Sequence, residues 1–347
     1  MLLEGIFLPL TTPFHPDGRL FLHKLGLNVE HYSRTQAAGM LVLGQAGEAG
    51  SLTDAEARQV LEKANGAAGN DKVMIASVGR DSVAATLVLA EAAADLGYDA
   101  IAVRAPEYCL EAAMRTELTT YFRTVADQAG LPLVLLSERV RPLDVALLAE
   151  LAHHPNILGV FDEEASARKV SAVLSATADS DREVTVTATF GAVTRRMLGQ
   201  IDSIAHGNFV SAASLTSGTG VLAPSAPAIK TRTKKVRFQV LAASTSGMLS
   251  AWEAGAVGAV PTLGACSPQA CCEVWQAFKD GDPALAAEKQ HRILTAAGLV
   301  EGWRGISALK YGCDLNAYFG GRPRLPLLPL SDAQRAAIES ALAGLKN

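Results

Sequence analysis

Residues 73–103 read VMIASVGRDSVAATLVLAEAAADLGYDAIAV. A short apolar run, VMIASV, is followed by a turn and then by a helical stretch. Asp81 or Ser82 can cap that helix by accepting hydrogen bonds from its free N–H groups. Gly97 can supply the left-handed residue that ends it, and the next apolar run, AIAV, follows at once. The stretch is therefore a complete strand–helix–strand unit of the kind that builds parallel sheets.

Working outward, the same pattern recurs along the chain. Apolar runs occur at GIFLPL (5–10), GMLVLG (39–44), VMIASV (73–78), AIAV (100–103), LVLL (133–136), ILGV (157–160), FQVLA (238–242) and VGAV (257–260). Near-continuous runs, rather than alternation, are what strands buried on both faces require. Eight is the number that closes a parallel barrel, so the sequence predicts an α/β protein built on a (β/α)8 TIM barrel. Local punctuation agrees. Thr53-Asp54-Ala55-Glu56 and Ser331-Asp332-Ala333-Gln334 both read as capping boxes, in which a hydroxyl and a carboxyl or amide satisfy backbone N–H groups at a helix start.

The rhythm breaks between the helix near 166–178 and the strand at Phe238. About sixty residues intervene where such a connection ordinarily takes about 2–6. Within this stretch, EVTVTATFGAVTRRML (183–198) is compatible with a hairpin or a helix. SAASLTSGTGVLAPSAPAIKTRTKKVR (211–237), rich in Ser, Thr, Gly and Pro, reads as a mobile surface loop with little core of its own. The expected organisation is a barrel over 1–265 carrying an insertion at about 179–235 before the seventh strand. A helical appendage over 266–347 follows, because too much chain remains after the eighth strand for one closing helix.

Composition narrows the function classes. The chain has 347 residues, 49% of them hydrophobic and 19% charged, with a mean hydropathy of +0.19. A formal net charge of −4 and a pI near 6.0 give no general pull toward nucleic acid or an anionic membrane. No run approaches the about 18 apolar residues that span a bilayer, and MLLEGIFLPLTTPF lacks the basic start and cleavage site of a signal peptide, so a cytoplasmic location is the expectation. Cys109, Cys266, Cys271, Cys272 and Cys313 form no C-x-x-C pair and read as reduced, packed thiols. His153-His154, before a proline at a helix end, suits a dipole or solvent role. No cofactor is implied. Asp162, Glu163 and Glu164 follow the sixth strand, where negative charge suits a helix start; adjacent acids with no histidine make a weak metal set, and no metal site is expected.

In a (β/α) barrel, chemistry sits at the C-terminal ends of the strands. After the second strand comes GQAGEAG (44–50), whose glycines permit a tight turn with exposed N–H groups suited to an oxyanion; a turn with Glu48 bonded to backbone is the alternative. The sixth strand runs through Asn156–Ser166, NILGVFDEEAS, and ends on Phe161.

GIFLPLTTPFHPDGRL, LGQAGEAGSLTDAEA, HPNILGV, FQVLAAS, AGAVGAVPTLGA and YFGGRPRLPLLPLS, in that order, resemble the dihydrodipicolinate synthase and N-acetylneuraminate lyase family, and within it the 4-hydroxy-2-oxoglutarate aldolases. The resemblance covers the chain apart from the insertion. It implies a lyase of aldolase type acting on a 2-oxo acid such as pyruvate through a Schiff base on a lysine at the end of the sixth strand. Phe161 stands where that lysine belongs. Leu136 stands in place of the family's proton-relay tyrosine, and Gln45 and Ala46, after Gly44, in place of its paired hydroxyl or amide side chains. Lys169 lies about two helical turns beyond Phe161, which reads as out of reach. Tyr108 matches an aromatic that completes the relay across a dimer interface, or else is interface packing. Arg141 matches an arginine that binds a distal carboxylate, or else is a solvent ion pair. Ser137 adjoins Leu136 in the same substrate-binding region.

Three functions follow as expectations. One is a catalytically lapsed paralogue that binds a small 2-oxo acid or related carboxylate, or assembles with an active relative. Another is a lyase or hydratase of changed mechanism using Tyr108, Gln45 or the acids. In the third, Lys230, Lys234 or Lys235 of the insertion reaches the barrel mouth and restores the imine. A homodimer or homotetramer is implied by the resemblance in each case, with no nucleic-acid or membrane partner.

Overall fold

The structure, a computed structural model, describes residues 1–109, 114–198, 229–301 and 305–345. Strands β1 (Gly5–Pro9), β2 (Gly39–Val42), β3 (Val73–Ser77), β4 (Ala100–Arg104), β5 (Leu133–Ser137), β6 (Ile157–Asp162), β9 (Gln239–Ala242) and β10 (Gly258–Ala259) form a closed barrel. Every neighbouring pair is parallel. These are the eight strands expected from the apolar runs. Helices α1 (Leu22–Ser33), α2 (Asp54–Ala67), α3 (Val83–Asp95), α4 (Arg115–Gln128), α5 (Val145–Ala152) and α6 (Ala167–Ala176) follow the first six strands on the outside.

The strands are apolar on both faces because each face has its own core. Phe7, Leu41, Ile75, Val134, Phe161 and Leu241 fill the barrel interior. Ile6, Met40, Met74, Ile101, Leu135 and Val160 pack outward against the helices. Each such side chain taken from water contributes about 1.5–3 kcal/mol before conformational entropy is charged against it. Gly159 has a steric reason to lack a side chain, since a Cβ there would lie 2.0 Å from the Gln239 carbonyl oxygen of the next strand.

The helix punctuation is as read. The Ser82 hydroxyl accepts from Ala85 N at 3.2 Å, while Asp81 accepts from Glu107 N at 2.9 Å and ties down the loop after β4. Gly97 adopts φ +85°. Both capping boxes are formed, at Thr53–Glu56 and at Ser331–Gln334. All five cysteines are free and buried. His154 Nε2 lies 2.9 Å from Asp127 Oδ1.

The insertion takes shape at the opposite end of the barrel from the strand mouths. β7 (Arg182–Thr187) and β8 (Thr231–Val236) pair antiparallel as a separate ribbon. The basic stretch KTRTKK, expected in a mobile surface loop, is thus mostly strand; residues 211–228 of that expected loop lie outside the described residues. Val184 and Val186 pack on Leu2 beneath the barrel floor. Arg182 donates to the carbonyls of Ala152 (2.8 Å) and Ile157 (2.6 Å), at the entry to β6. Lys234 pairs with Glu4 at 2.8 Å, just before β1. Residues 194–196 dock beside β3 and β4, where Arg195 N donates to Asp99 Oδ1 at 2.6 Å and Arg196 lies 3.6 Å from Asp99 Oδ2.

Beyond β10, helices Pro268–Lys279, Pro283–Val300, Gly305–Leu315 and Asp332–Leu342 complete the chain. The first two pack on each other, and Val300, Ile306 and Leu309 reach the barrel mouth.

Candidate functional site

At the C-terminal end of the barrel the strands surround a cleft with about 680 Å³ of free space, its opening to solvent included. Phe161 lies at its base. Side chains alternate along a strand, so Phe161 points into the barrel, 1% exposed, with its ring centroid 6.2 Å from that of Phe7. Leu136 of β5 is its register partner, so the two positions that the resemblance associates with an amine and a phenol form one apolar rung. Leu41, Val260, Val300, Ile306 and Leu309 extend that surface.

Gly44, Gln45 and Ala46 line the cleft from the loop after β2, as expected, and Ser137 does so from the end of β5. The loop is a tight turn closed by Gly47 N donating to Gly44 O at 3.0 Å. Glu48 behind it is fully buried. It accepts from Lys310 Nζ at 2.5 Å and from Arg324 N at 2.8 Å, which fastens the C-terminal segment to the barrel rim. Burial holds the Lys310 ammonium below its usual range, against the pull of Glu48.

Two expected residues lie apart from the cleft. Tyr108 is 60% exposed and is not among the lining residues. Arg141 is spent on Glu138, three residues before it in a tight turn, through both a guanidinium–carboxylate pair and Arg141 N donating to Glu138 O at 3.0 Å. The reading of Arg141 as an ion pair therefore describes its contact.

Lys169 stays out of the cleft. Although it is the third residue of α6, its amine returns to the strand ends and lies 2.8 Å from Asp162 Oδ2 and 3.4 Å from Ser137 Oγ. Asp162 follows Phe161 and so faces the other side of the wall. The amine is accordingly held between strand and helix and lines a neighbouring groove with Arg139, Ser166 and Ser246, not the cleft. Lys234 pairs with Glu4 on the floor, and Lys230 and Lys235 flank it in the chain at or beside β8.

Glu138 and Thr262 also line the cleft and were missed, and Glu163, one of the three acids noted after the sixth strand, lines it too. Alternation puts Glu163 there, since it lies two residues beyond the inward-facing Phe161. Its carboxylate accepts from Arg139 N at 2.8 Å. Burial lifts the Glu163 carboxyl above the usual range, and the charges of Glu138 and Asp162 add to this. Among the described residues the cleft is lined by no lysine, histidine or tyrosine, and no group of three or more His, Cys, Asp or Glu could hold a metal ion. No helix among them is long and apolar enough to cross a membrane.

Comparison with known proteins bears on the whole chain. The model of the dihydrodipicolinate synthetase family matches residues 2–181 and 213–345. A 4-hydroxy-tetrahydrodipicolinate synthase of Acidiphilium cryptum is 26% identical over 345 residues, covering 99% of this chain and 98% of that protein. One from Stenotrophomonas maltophilia is 35% identical over 182 residues, 50% of this chain and 59% of that protein. Among solved structures, the dihydrodipicolinate synthase DapA-2 of Bacillus anthracis superposes with a TM-score of 0.78 at 18% identity over the whole of both chains. YagE of Escherichia coli K12, solved in complex with pyruvate, gives 0.77 at 21% identity over 99% of each. At these identities the solved structures establish the fold.

Proposed function

Because the chain belongs to the dihydrodipicolinate synthetase family, we propose that it is a lapsed lyase of that family, which keeps the barrel and a ligand cleft and binds a small molecule without forming an imine. One observation carries the reading: buried Phe161 and half-buried Leu136 share an apolar rung at the base of the cleft, and no lysine amine lines it among the described residues. Imine formation needs an unprotonated amine at the substrate carbonyl, and expelling water from the carbinolamine needs a proton relay. A phenyl ring and an isobutyl group supply neither. The insertion lysines do not rescue the chemistry on this reading, because their strand is tied to the floor.

The test is borohydride trapping with pyruvate, the 2-oxo acid that the resemblance suggests first. The unmodified protein should keep its mass. Phe161→Lys alone should trap poorly, and Phe161→Lys with Leu136→Tyr should trap more. Efficient trapping by the unmodified protein, mapped to any lysine, would overturn the proposal.

A second reading, an enzyme of changed mechanism, is favoured by the partly desolvated Glu163 carboxyl in the cleft, since a group with that perturbation is a candidate acid or base. Turnover of a 2-oxo or hydroxy acid that disappears in Glu163→Gln would establish it. In either case we place the protein in the cytoplasm as a homodimer or homotetramer. Tyr108 at 60% exposure and Val140 at 65% give the rim apolar surface that a second copy would cover. Sedimentation velocity at micromolar concentration should show an oligomer, and a pure monomer would refute that assignment.

A further inference from the structure

We propose that the cleft takes a small apolar cation, such as a primary alkylammonium, in place of a 2-oxo acid, with Glu163 as its counter-ion. The inference rests on the reading of this site as a ligand cleft and goes beyond it by reversing the charge of the ligand.

The argument is one of pairing. Only two charged side chains line the cleft among the described residues, Glu138 and Glu163. Glu138 is neutralised by Arg141. Glu163 accepts one backbone hydrogen bond, from Arg139 N, and makes no salt bridge with a described lysine or arginine. Glu163 also borders the neighbouring groove that holds Arg139 and Lys169; the Lys169 amine there is taken by Asp162, and neither cation lines the cleft. The rest of the lining is mixed: Gln45, Ser137 and Thr262 are uncharged polar groups, and Leu136, Phe161, Val260 and Ile306 form an apolar wall.

A carboxylate entering this space would lose water against an apolar wall and meet a like charge with no described cation to receive it. An alkylammonium would place its chain on the apolar wall and its charge beside an unpaired carboxylate, in a setting where a charge pair is less screened than at an open surface. The partial desolvation that lifts the Glu163 carboxyl is the same imbalance seen from the protein's side, and a bound cation would relieve it.

Calorimetric titration of the full-length protein at pH 8, with n-butylammonium chloride, n-butanol and pyruvate at matched ionic strength, tests this. Butylammonium should bind at least about tenfold more tightly than either of the others, as a close charge pair would give. Glu163→Gln should lose about that factor for butylammonium while leaving butanol within about twofold, and Glu163→Asp, which keeps the charge, should retain most of the native affinity. Pyruvate binding more tightly than butylammonium would overturn the proposal, and its loss in Arg304→Ala would assign an anion receptor to Arg304, outside the described residues. A folded Glu163→Gln with unchanged butylammonium affinity would also overturn it. Borohydride trapping reports separately on the imine, so failure of the lapsed-enzyme reading and failure of the cation assignment give different results.

Discussion

The two ends of the barrel treat buried polar groups in opposite ways. At the floor, charges are buried and matched: Asp99 accepts from Met74 N at 2.8 Å and Arg195 N at 2.6 Å with Arg196 alongside, and Lys72 donates to the carbonyls of Thr35 (2.9 Å) and Ala37 (3.0 Å). At the base of the mouth, the positions that the family resemblance associates with an amine and a phenol are a phenyl and an isobutyl group, and the acid above them, Glu163, has no cationic side chain among the described residues. Polar groups at the floor serve the fold, and of those named only Arg196 Nε lacks a hydrogen-bond partner. A mouth carboxylate without a described cation has no such structural reason and calls for a ligand, while the apolar rung beneath it is what packing alone would choose. Active sites ordinarily hold buried polar groups at some expense of stability, and the Phe161–Leu136 rung carries no such expense.

The sharpest way to break this comparison is to remove a matched charge close to the mouth. Lys310 and Glu48 are both fully buried, and their role is to fasten the C-terminal segment at Arg322 and Arg324 to the loop after β2. Lys310→Met would leave Glu48 buried without its cation, and should cost about 3–5 kcal/mol in urea unfolding at pH 7, the range for breaking a buried pair. A loss below about 1 kcal/mol would mean that this rim relaxes and readmits water, so that Glu48 is not the buried, matched charge its contacts describe.

At the floor the expected effect is smaller. Arg196→Met removes the guanidinium beside Asp99 and its hydrogen bonds to Asn65 Oδ1 (2.6 Å) and the Lys72 carbonyl. Two backbone N–H groups still hold the Asp99 carboxylate, so a loss of about 2–3 kcal/mol is expected rather than the full value for an orphaned charge. Burial pushes the Asp99 carboxyl up and the Arg196 guanidinium down, so the pair is retained more because breaking it is costly than because making it is profitable. Unchanged unfolding of Arg196→Met would show that docking of residues 194–196 contributes nothing to the barrel.

Most of the barrel was legible because its signals are local. A strand such as Val73–Ser77, buried on both faces, needs an unbroken apolar run, and the Thr53 and Ser331 boxes span four residues each. The ribbon was less so: Arg182 pairs with Val236 across more than fifty residues, and no local pattern announces a partner that distant. The positions that the resemblance associates with catalysis, Phe161 and Leu136, were readable because strand ends are where a barrel's chemistry lies. Glu163 stood out only as one of three acids after β6, because an acid before a helix has an ordinary explanation in the helix dipole, and only its register with Phe161 reveals that it faces the cleft. The Lys169 amine meets Asp162 and Ser137 and does not line the cleft.

The smallest expected effect concerns the sign of one titration. Burial, with help from Glu138 and Asp162, raises the Glu163 carboxyl in the folded protein, while Arg139 opposes the rise; Arg141 and Lys169 are already engaged with Glu138 and Asp162. A carboxyl raised on folding ionises first in the unfolded chain, so ionisation costs the folded state. That cost is absent below the unfolded value of about 4.3, develops as pH rises toward the folded value, and is fully present above it. Glu163→Gln removes the cost and keeps an acceptor for Arg139 N, so the variant should be as stable as the parent near pH 4 and more stable at pH 7, by no more than about 1 kcal/mol after solvent screening. Asp99→Asn at the floor should lose stability at both pH values, because the amide leaves one of the two backbone N–H groups without its acceptor; burial raises that carboxyl too, so its pH-linked contribution has the same sign as that of Glu163. Paired urea melts of both variants at the two pH values check this. A stability gain for Glu163→Gln that does not grow with pH would mean that the mouth carboxylate is as well matched as the one at the floor.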